Sequence, residues 1–193
     1  MSRRASSFRE QYGPWAVVTG ASDGIGRAGA RALAATGVHV VLVARRQPQL
    51  EALARELSHR CGVQTRVAAM DLAMADQVEA LIDQTSALDV GLLVASAGFG
   101  TSGPFVHAPL ARELEMIDVN CRAVVALTHA FARRFTERGR GGLVLMSSLV
   151  AFQGVPRAAT YAATKAFIQT FAEGLRRELA PHGVDVLASA PGP

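Results

Sequence analysis

Short apolar runs rich in β-branched residues recur along this chain, and segments with helical periodicity separate them. Six runs are predicted to be strands, at residues 16–19, 38–44, 64–69, 90–95, 143–146 and 184–188. Alternating strands and helices are typical of a parallel sheet. Because the second run is apolar at nearly every position, it indicates a sheet covered by helices on both faces. The pattern therefore predicts an α/β fold, a doubly wound parallel sheet in three layers.

The chain shows no internal repeat and no linker long enough to separate two domains. We therefore predict a single domain at residues 15–193, preceded by an N-terminal extension at residues 1–14. Two long helices are expected at about residues 111–138 and 160–180. A glycine-containing loop at 98–104 follows the fourth run, which places it at the carboxyl edge of the sheet, where doubly wound sheets bind ligands.

The bulk composition is that of an ordinary globular protein. Of 193 residues, 50% are hydrophobic and 19% are charged, which excludes disordered and fibrous classes. No apolar stretch reaches the length of a membrane span, and the first residues lack the apolar core of a signal peptide. These features predict a cytoplasmic protein with no membrane span. Scattered histidines and the isolated Cys61 and Cys121 show no spacing typical of a metal site.

A net charge of +4, with several arginines in pairs, raises the question of nucleic-acid binding. No aromatic-rich strand or zinc module accompanies the arginines, and no single block is dense enough to form a binding patch. We therefore assign most of the arginines to solvated helix faces and predict no nucleic-acid partner. The pair Arg45-Arg46 is the exception.

A glycine-rich segment at residues 19–26 follows the first apolar run and opens a helix-like stretch. So tight a turn requires positive φ, and a Cβ would keep the backbone away from a pyrophosphate. The helix N-terminus offers that anion free N–H groups and the positive end of a dipole. In this context the turn predicts a Rossmann-like dinucleotide-binding domain. The residues predicted to bind the cofactor here are Gly20, Ser22, Asp23, Gly24, Ile25 and Gly26.

Tyr161 and Lys165 are four residues apart in a segment predicted to be helical, so their side chains share one face. A free phenol is too weak an acid at neutral pH, and a cation within about 4 to 6 Å favours its phenolate form. Tyr161 then becomes a usable general acid or base. Ser148 ends the fifth apolar run, where its hydroxyl can hydrogen-bond a substrate oxygen. Alone, a Tyr and Lys pair is usually an ordinary surface pair; together with the glycine turn it indicates carbonyl and alcohol redox chemistry.

The spacing Gly-x-x-x-Gly-x-Gly, combined with Ser148, Tyr161 and Lys165, resembles the short-chain dehydrogenase/reductase family from about residue 12 to residue 193. The resemblance implies that Asn120 interrupts a helix and that its carbonyl anchors a water linking Lys165 to solvent. It also implies that both Tyr161 and Lys165 contact the cofactor. Further cofactor contacts implied in the same way are Asp71, Leu72, Ala97, Gly98, Asn120, Pro191 and Gly192. For Asp71 a helix cap is the structural alternative, and Asn120 could be an ordinary helix residue.

The chain departs from the family pattern at two places. Where relatives carry Asn-Asn-Ala-Gly, this chain has Ala95-Ser96-Ala97-Gly98, a change expected to weaken contacts within the sheet more than the chemistry. The sequence also stops at Pro193, where relatives continue with a final strand and a substrate lid. We expect either a truncated chain or a mobile C-terminal segment outside the given sequence, and we favour the second.

Arg45-Arg46 follows the second apolar run, about 20 residues past the glycine turn, where NAD-binding sheets often carry an acidic residue. A carboxylate at this place would repel a 2′-phosphate, whereas an arginine fork can bind it through two hydrogen bonds. Ala44 followed by Arg45 and Arg46 therefore favours NADP(H) as the cofactor over NAD.

Together these assignments predict an NADP(H)-dependent oxidoreductase that interconverts a carbonyl and an alcohol with Ser148, Tyr161, Lys165 and Asn120. Residues 12–15 resemble the branch of the family that reduces 3-oxoacyl thioesters and ketosteroids, so the expected small-molecule substrate is a lipophilic ketone or a 3-oxoacyl compound. The resemblance also implies a homodimer or homotetramer formed through the two long helices, although their apolar positions could equally pack on the sheet. The alternative function is a non-catalytic dinucleotide-binding sensor or regulatory protein.

Overall fold

The computed structural model describes the backbone of residues 3–192 and the side chains of residues 8–192. Within this range six strands form one sheet: β1 (Trp15–Thr19), β2 (His39–Ala44), β3 (Thr65–Ala69), β4 (Val90–Ala95), β5 (Gly141–Met146) and β6 (Val184–Ser189). The strand order is β3-β2-β1-β4-β5-β6 and every neighbouring pair is parallel. This is the order of a doubly wound sheet, so the predicted Rossmann-like α/β fold is confirmed.

Seven α-helices flank the sheet in the same range: α1 (Arg3–Tyr12), α2 (Gly24–Ala35), α3 (Gln47–Cys61), α4 (Ala75–Gln84), α5 (Leu110–Ile117), α6 (Ala123–Arg138) and α7 (Ala159–Leu179). One apolar cluster lies between the sheet and α4, α6 and α7. A second cluster lies on the opposite face, against α2 and α3. The molecule therefore has the three layers that the pattern predicts. No helix within residues 3–192 is long and apolar enough to cross a membrane.

The central strands are apolar throughout because both of their faces are covered. In β1 the side chain of Val17 belongs to one core cluster, while Ala16 and Val18 belong to the other. This division follows from the pleat of a strand, which sends successive side chains to opposite faces. All five residues of β1 are buried.

Helix α1 covers the amino-terminal end of the sheet. The Tyr12 ring lies against Gly142, where a Cβ would come within 3.0 Å of the ring. The Tyr12 hydroxyl donates a hydrogen bond of 2.6 Å to Asp185 in β6. These contacts fasten α1 to two strands that lie far along the chain. The assignment of residues 1–14 to an extension and 15–193 to a domain remains a prediction, and Pro193 lies outside the described residues.

The long helix expected at residues 111–138 is interrupted. Helix α5 ends at Ile117, a π-helical turn occupies Asp118–Arg122, and α6 begins at Ala123. In the turn, the Ala123 amide donates to the carbonyl of Asp118, five residues back. Asn120 lies inside this turn and is buried. The second expected helix, at 160–180, corresponds to α7.

Candidate active site

Most of the residues predicted to bind a cofactor line one cavity of about 560 Å³ at the carboxyl edge of the sheet, which we call the main cavity. The predicted residues in its wall are Gly20, Ser22, Asp23, Gly24, Ile25, Gly26, Arg45, Arg46, Asp71, Leu72, Ala97, Gly98, Tyr161, Lys165 and Pro191. Three further predicted site residues, Asn120, Ser148 and Gly192, lie outside this wall.

The turn between β1 and α2 accepts only glycine at two positions. Gly20 has a φ of +68°, and a Cβ there would lie 2.9 Å from the Ala97 amide nitrogen. At Gly26 a Cβ would collide with the carbonyl of Gly20. The turn is therefore closed tightly on itself and leaves its outer backbone open to the main cavity. That shape fits a pyrophosphate at the N-terminus of α2.

Asp23 caps α2, because its carboxylate accepts a hydrogen bond of 2.8 Å from the Gly24 amide. This bond, with Arg46 and Arg27 nearby, lowers the pKa of Asp23. The guanidinium of Arg46 donates to Ser22 Oγ at 3.1 Å and to Asp23 at 3.2 Å. Arg46 is thus bound to the glycine turn itself.

Arg45 points to a different part of the cavity wall. Its guanidinium lies 3.8 Å from the carboxylate of Asp71 and 3.4 Å from that of Glu115 in α5. Asp71 also accepts a hydrogen bond of 3.0 Å from the Ala73 amide, as a turn residue would. The two arginines therefore flank one end of the main cavity, and both side chains keep about half of their surface exposed.

Hydroxyl groups replace the family's amides beside β4. Thr19 Oγ1 accepts hydrogen bonds from the amides of Ser96 and Ala97, at 3.1 and 3.0 Å. In return, the Ser96 hydroxyl donates to the carbonyl of Thr19. Thr19 and Ser96 thus join the end of β1 to the segment that follows β4, and the expected weakening of contacts within the sheet stays a prediction.

Lys165 lies almost wholly inside the protein, with 6% of its surface exposed. Its Nζ donates a hydrogen bond of 2.8 Å to the carbonyl of Met146, at the end of β5. The same Nζ is 5.6 Å from the centre of the Tyr161 ring. Burial lowers the pKa of Lys165 to about 8, which still leaves most of the ammonium protonated at neutral pH. The structure thus places a cation beside the phenol at the wall of the main cavity.

Asn120 lies behind this pair and is fully engaged by protein atoms. Its Oδ1 accepts from the Phe99 amide at 3.1 Å, and its Nδ2 donates to the Phe99 carbonyl at 2.9 Å and to Thr164 at 3.1 Å. A Cβ at Gly98 would lie 2.9 Å from Asn120 Oδ1 and 3.6 Å from Lys165 Nζ. Gly98 therefore lets Asn120 and Lys165 approach the same point.

The two serines after β5 have different surroundings. Ser147 lines the main cavity, and its hydroxyl donates to the carbonyl of Lys165 at 3.2 Å. The Ser148 hydroxyl instead accepts, at 3.4 Å, from the amide of Val150. Among the described residues the hydroxyl proton of Ser148 makes no hydrogen bond, so it can be donated to a bound oxygen. The Leu149 amide donates to the Pro191 carbonyl, which brings residues 191–192 beside Ser148.

The structure adds contacts that the sequence did not indicate. The backbone of Gly100 lies against the Tyr161 ring, since a Cβ there would be 3.0 Å from the ring. Glu113, on α5, is 6% exposed and accepts a hydrogen bond of 2.6 Å from Thr101. A second cavity of about 440 Å³, the loop cleft, lies between residues 101–109 and 157–160 and includes Glu113. A glutamate in an amphipathic helix is typical of a solvated face, so the sequence pattern could not identify Glu113.

Comparison with known proteins agrees with the motifs. The short chain dehydrogenase family model matches residues 14–193. The 7beta-hydroxysteroid dehydrogenase of Clostridium sardiniense is 38% identical over 186 residues, which are 96% of this chain and 71% of that protein. The very-long-chain 3-oxoacyl-CoA reductase of Podospora anserina is 39% identical over 179 residues, 90% of this chain and 53% of that protein. The chain thus spans about half the length of the second relative.

Solved structures give the same result. A structure of a 7beta-hydroxysteroid dehydrogenase superposes with a TM-score of 0.93 at 32% identity, covering 96% of this chain and 74% of that one. A short-chain dehydrogenase from Sphingobium yanoikuyae in complex with NADPH superposes with a TM-score of 0.90 at 35% identity, covering 93% and 70%. The expectation of a dehydrogenase or reductase is confirmed, and the chain belongs to the short chain dehydrogenase family.

Proposed function

We propose that this chain is an NADP(H)-dependent oxidoreductase that interconverts a carbonyl and an alcohol. The observation that carries the proposal is the placement of the buried Lys165 ammonium beside Tyr161 at one end of the main cavity. The other end of that cavity holds the glycine turn and two arginines. One elongated site therefore offers groups for proton transfer and groups for a phosphorylated dinucleotide.

The residues of the main cavity fit NADP(H). The glycine turn and the N-terminus of α2 would hold the pyrophosphate, and Arg45 with Arg46 would hold the 2′-phosphate. Asp71 and Leu72 line the same cavity and would contact the adenine. Relatives of similar structure were solved with NADPH and with NADP, which supports NADP(H) over NAD.

Side chains of the protein would transfer the proton and stabilise the charge on the substrate oxygen. When bound, the nicotinamide supplies or accepts the hydride. Tyr161 donates a proton to the carbonyl oxygen as general acid, and the Lys165 cation stabilises the phenolate that remains. The Ser148 hydroxyl donates to the same oxygen and stabilises the charge that develops on it. The side chain of Asn120 holds Phe99, and the backbone carbonyl of Asn120 would anchor a water that returns the proton through Lys165.

A lipophilic ketone or a 3-oxoacyl compound is the substrate class that we propose. The relatives include a 7beta-hydroxysteroid dehydrogenase and very-long-chain 3-oxoacyl-CoA reductases. Large apolar side chains near the catalytic end are exposed: Phe105, Leu149 and Phe152 keep more than half of their surface accessible. Exposed apolar side chains in this position would favour the binding of a bulky apolar substrate.

The cofactor assignment is tested by titrating NADPH and NADH by fluorescence on wild type and Arg45→Ala. Arg45→Ala should weaken NADPH binding about tenfold, the effect of losing one charge-assisted hydrogen bond, and leave NADH binding unchanged. Arg60→Ala removes an exposed arginine on α3, away from the main cavity, and is the matched control. Equal affinities for NADPH in all three proteins would contradict the assignment of Arg45.

The reaction is tested by following NADPH oxidation with a 7-oxosteroid and with a 3-oxoacyl-CoA as probes. Tyr161→Phe should lower kcat at least about a hundredfold, because it removes the proton donor, while NADPH still binds. A Tyr161→Phe variant with full turnover would overturn the mechanism. Tight NADPH binding without turnover of either probe would instead support the non-catalytic sensor.

A further inference from the structure

Glu113 is a buried carboxylate that the proposed reaction does not use. Aspartate and glutamate are seldom this buried unless a cation pairs with them, yet the hydrogen-bond donor to Glu113 is the hydroxyl group of Thr101, at 2.6 Å. Thr160 lines the same loop cleft as Glu113. Thr101 first, and Thr160 after it, lower the pKa of Glu113 against the opposing effect of burial. The group is therefore an ionised acceptor at neutral pH.

Thr101 belongs to the loop that follows β4. Two residues before Thr101, Asn120 holds both the amide and the carbonyl of Phe99. Residues 99–101 are thus fastened at one end by Asn120 and at the other by Glu113. Between these two points, the backbone of Gly100 lies in contact range of the Tyr161 ring.

Thr160 directly precedes Tyr161 in the first turn of α7. The N-cap residue of α7, Ala158, makes no side-chain capping bond, so this helix start lacks the usual polar anchor. Glu113 and Thr160 line the loop cleft together, and Thr160 contributes to the lowered pKa of the carboxyl. One carboxylate therefore lies between the two backbone segments on either side of the Tyr161 ring.

We propose that Glu113 is a positioning residue that holds the Tyr161 ring against Gly100 and thereby fixes its distance from Lys165. The inference rests on the proposed function, in which Tyr161 transfers the proton. Replacement by leucine removes both acceptor sites and frees the loop and the start of α7 from each other. Replacement by glutamine keeps the Thr101 contact, because an amide oxygen also accepts a hydrogen bond from a hydroxyl.

The test reads Tyr161 directly and needs no substrate. The chain has two tyrosines, so an NMR spectrum of isotope-labelled tyrosine rings at neutral pH is simple, and the Tyr161→Phe protein identifies the signal of Tyr161. In Glu113→Leu this signal should move from its wild-type position, because the ring is no longer held against Gly100. Glu113→Gln should restore most of the wild-type spectrum.

Thr101→Val is the second variant and guards against a Glu113→Leu protein that does not fold. It removes one partner and keeps the size of the side chain, so a smaller shift in the same direction is expected. A wild-type position of the Tyr161 ring signal in both Thr101→Val and Glu113→Leu would overturn the proposal, as would an equal displacement of that signal in Glu113→Gln and Glu113→Leu. If Glu113→Leu does not fold, Thr101→Val alone decides: a displaced Tyr161 signal supports the proposal and an unchanged one overturns it.

NADPH titration separates this inference from the proposed function. Neither Glu113 nor Thr101 is part of the main cavity, so the variants at these two positions should bind NADPH with the wild-type Kd. Wild type that fails to bind NADPH would overturn the proposed function and leave the comparison of Tyr161 ring signals to decide the role of Glu113. With turnover of either probe ketone, Glu113→Leu should lower kcat about tenfold with an unchanged Kd for NADPH, as expected when a positioned proton donor loses its alignment.

Discussion

Lys165 carries a positive charge in a buried position, and this burial lowers the free energy of unfolding of the protein. Burial lowers the pKa of Lys165 from 10.5 to about 8. Between these two values the unfolded chain binds more protons than the folded one, so stability rises with pH across this window. The penalty is therefore fully present below about pH 8, where it reaches about 3 kcal/mol. Retaining such a residue is expected where the charge serves the proposed chemistry.

Lys165→Met should stabilise the protein at neutral pH while abolishing its turnover. We expect a gain of about 1 to 3 kcal/mol in the free energy of unfolding at pH 7, reduced because the Met146 carbonyl loses its donor. The gain should fall towards zero near pH 10, above the folded pKa. Urea unfolding at both pH values measures it, with Arg177→Met, an exposed cation on the same helix, as control. A loss of stability of equal size at both pH values would contradict the argument.

The site residues that could be located from the sequence are those that stand at a fixed spacing from one another. Tyr161 and Lys165 are four apart on one helix, and the glycines of the first turn satisfy a local backbone requirement, so both were identifiable. Glu113 approaches Thr101 and Thr160 from a separate helix, so no spacing in the sequence predicts this arrangement. The bonds of Arg45 to Asp71 and Glu115 are likewise products of tertiary structure.

The strands could be predicted from the sequence because helices cover both faces of the sheet. Each central strand is therefore apolar at nearly every position, and the sequence shows it as a continuous apolar run. The break between α5 and α6 was not visible in that pattern, since a π-helical turn adds one residue to the hydrogen-bond ladder and changes neither composition nor polarity. The resemblance alone pointed to Asn120 as the interruption. The structural consequence is that the Asn120 side chain faces Phe99 and Thr164.

Helix α1 depends on one polar contact that can be tested. The Tyr12 hydroxyl donates to Asp185 at 2.6 Å. Burial first, and this bond after it, raise the pKa of Tyr12 to about 12. The stability linked to the neutral phenol is therefore fully present below about pH 10 and is lost as pH rises through 12. Tyr12→Phe should lower the free energy of unfolding by about 1 kcal/mol. In an Asp185→Asn background the same change should cost less, and chemical denaturation of all four proteins gives the coupling. Identical costs in both backgrounds would show that the bond contributes nothing.

At the scale of the whole molecule, α6 and α7 share an outer face that carries a groove of about 400 Å³. Half of the residues that line the groove are apolar, and the polar ones include Arg133 and Glu137. Val125 and Phe167 expose 37% and 43% of their surface. Because the groove carries both an arginine and a glutamate, the same surface on two copies offers opposite charges to each other, as a self-complementary interface requires. A second copy of this chain is therefore the occupant that we predict.

Light scattering at micromolar concentration should give a mass of two or four times 20.3 kDa. Phe167 stacks on the groove residue Phe171, with ring centres 5.8 Å apart. Phe167→Glu should reduce the mass to that of one chain, because a carboxylate would lose its water in an apolar contact. Phe152→Glu alters a more exposed phenylalanine that lies outside α6 and α7 and should leave the assembly intact. A wild-type protein that is monomeric under these conditions would refute the prediction. A Phe167→Glu variant that stays assembled would place the interface on another face of the molecule.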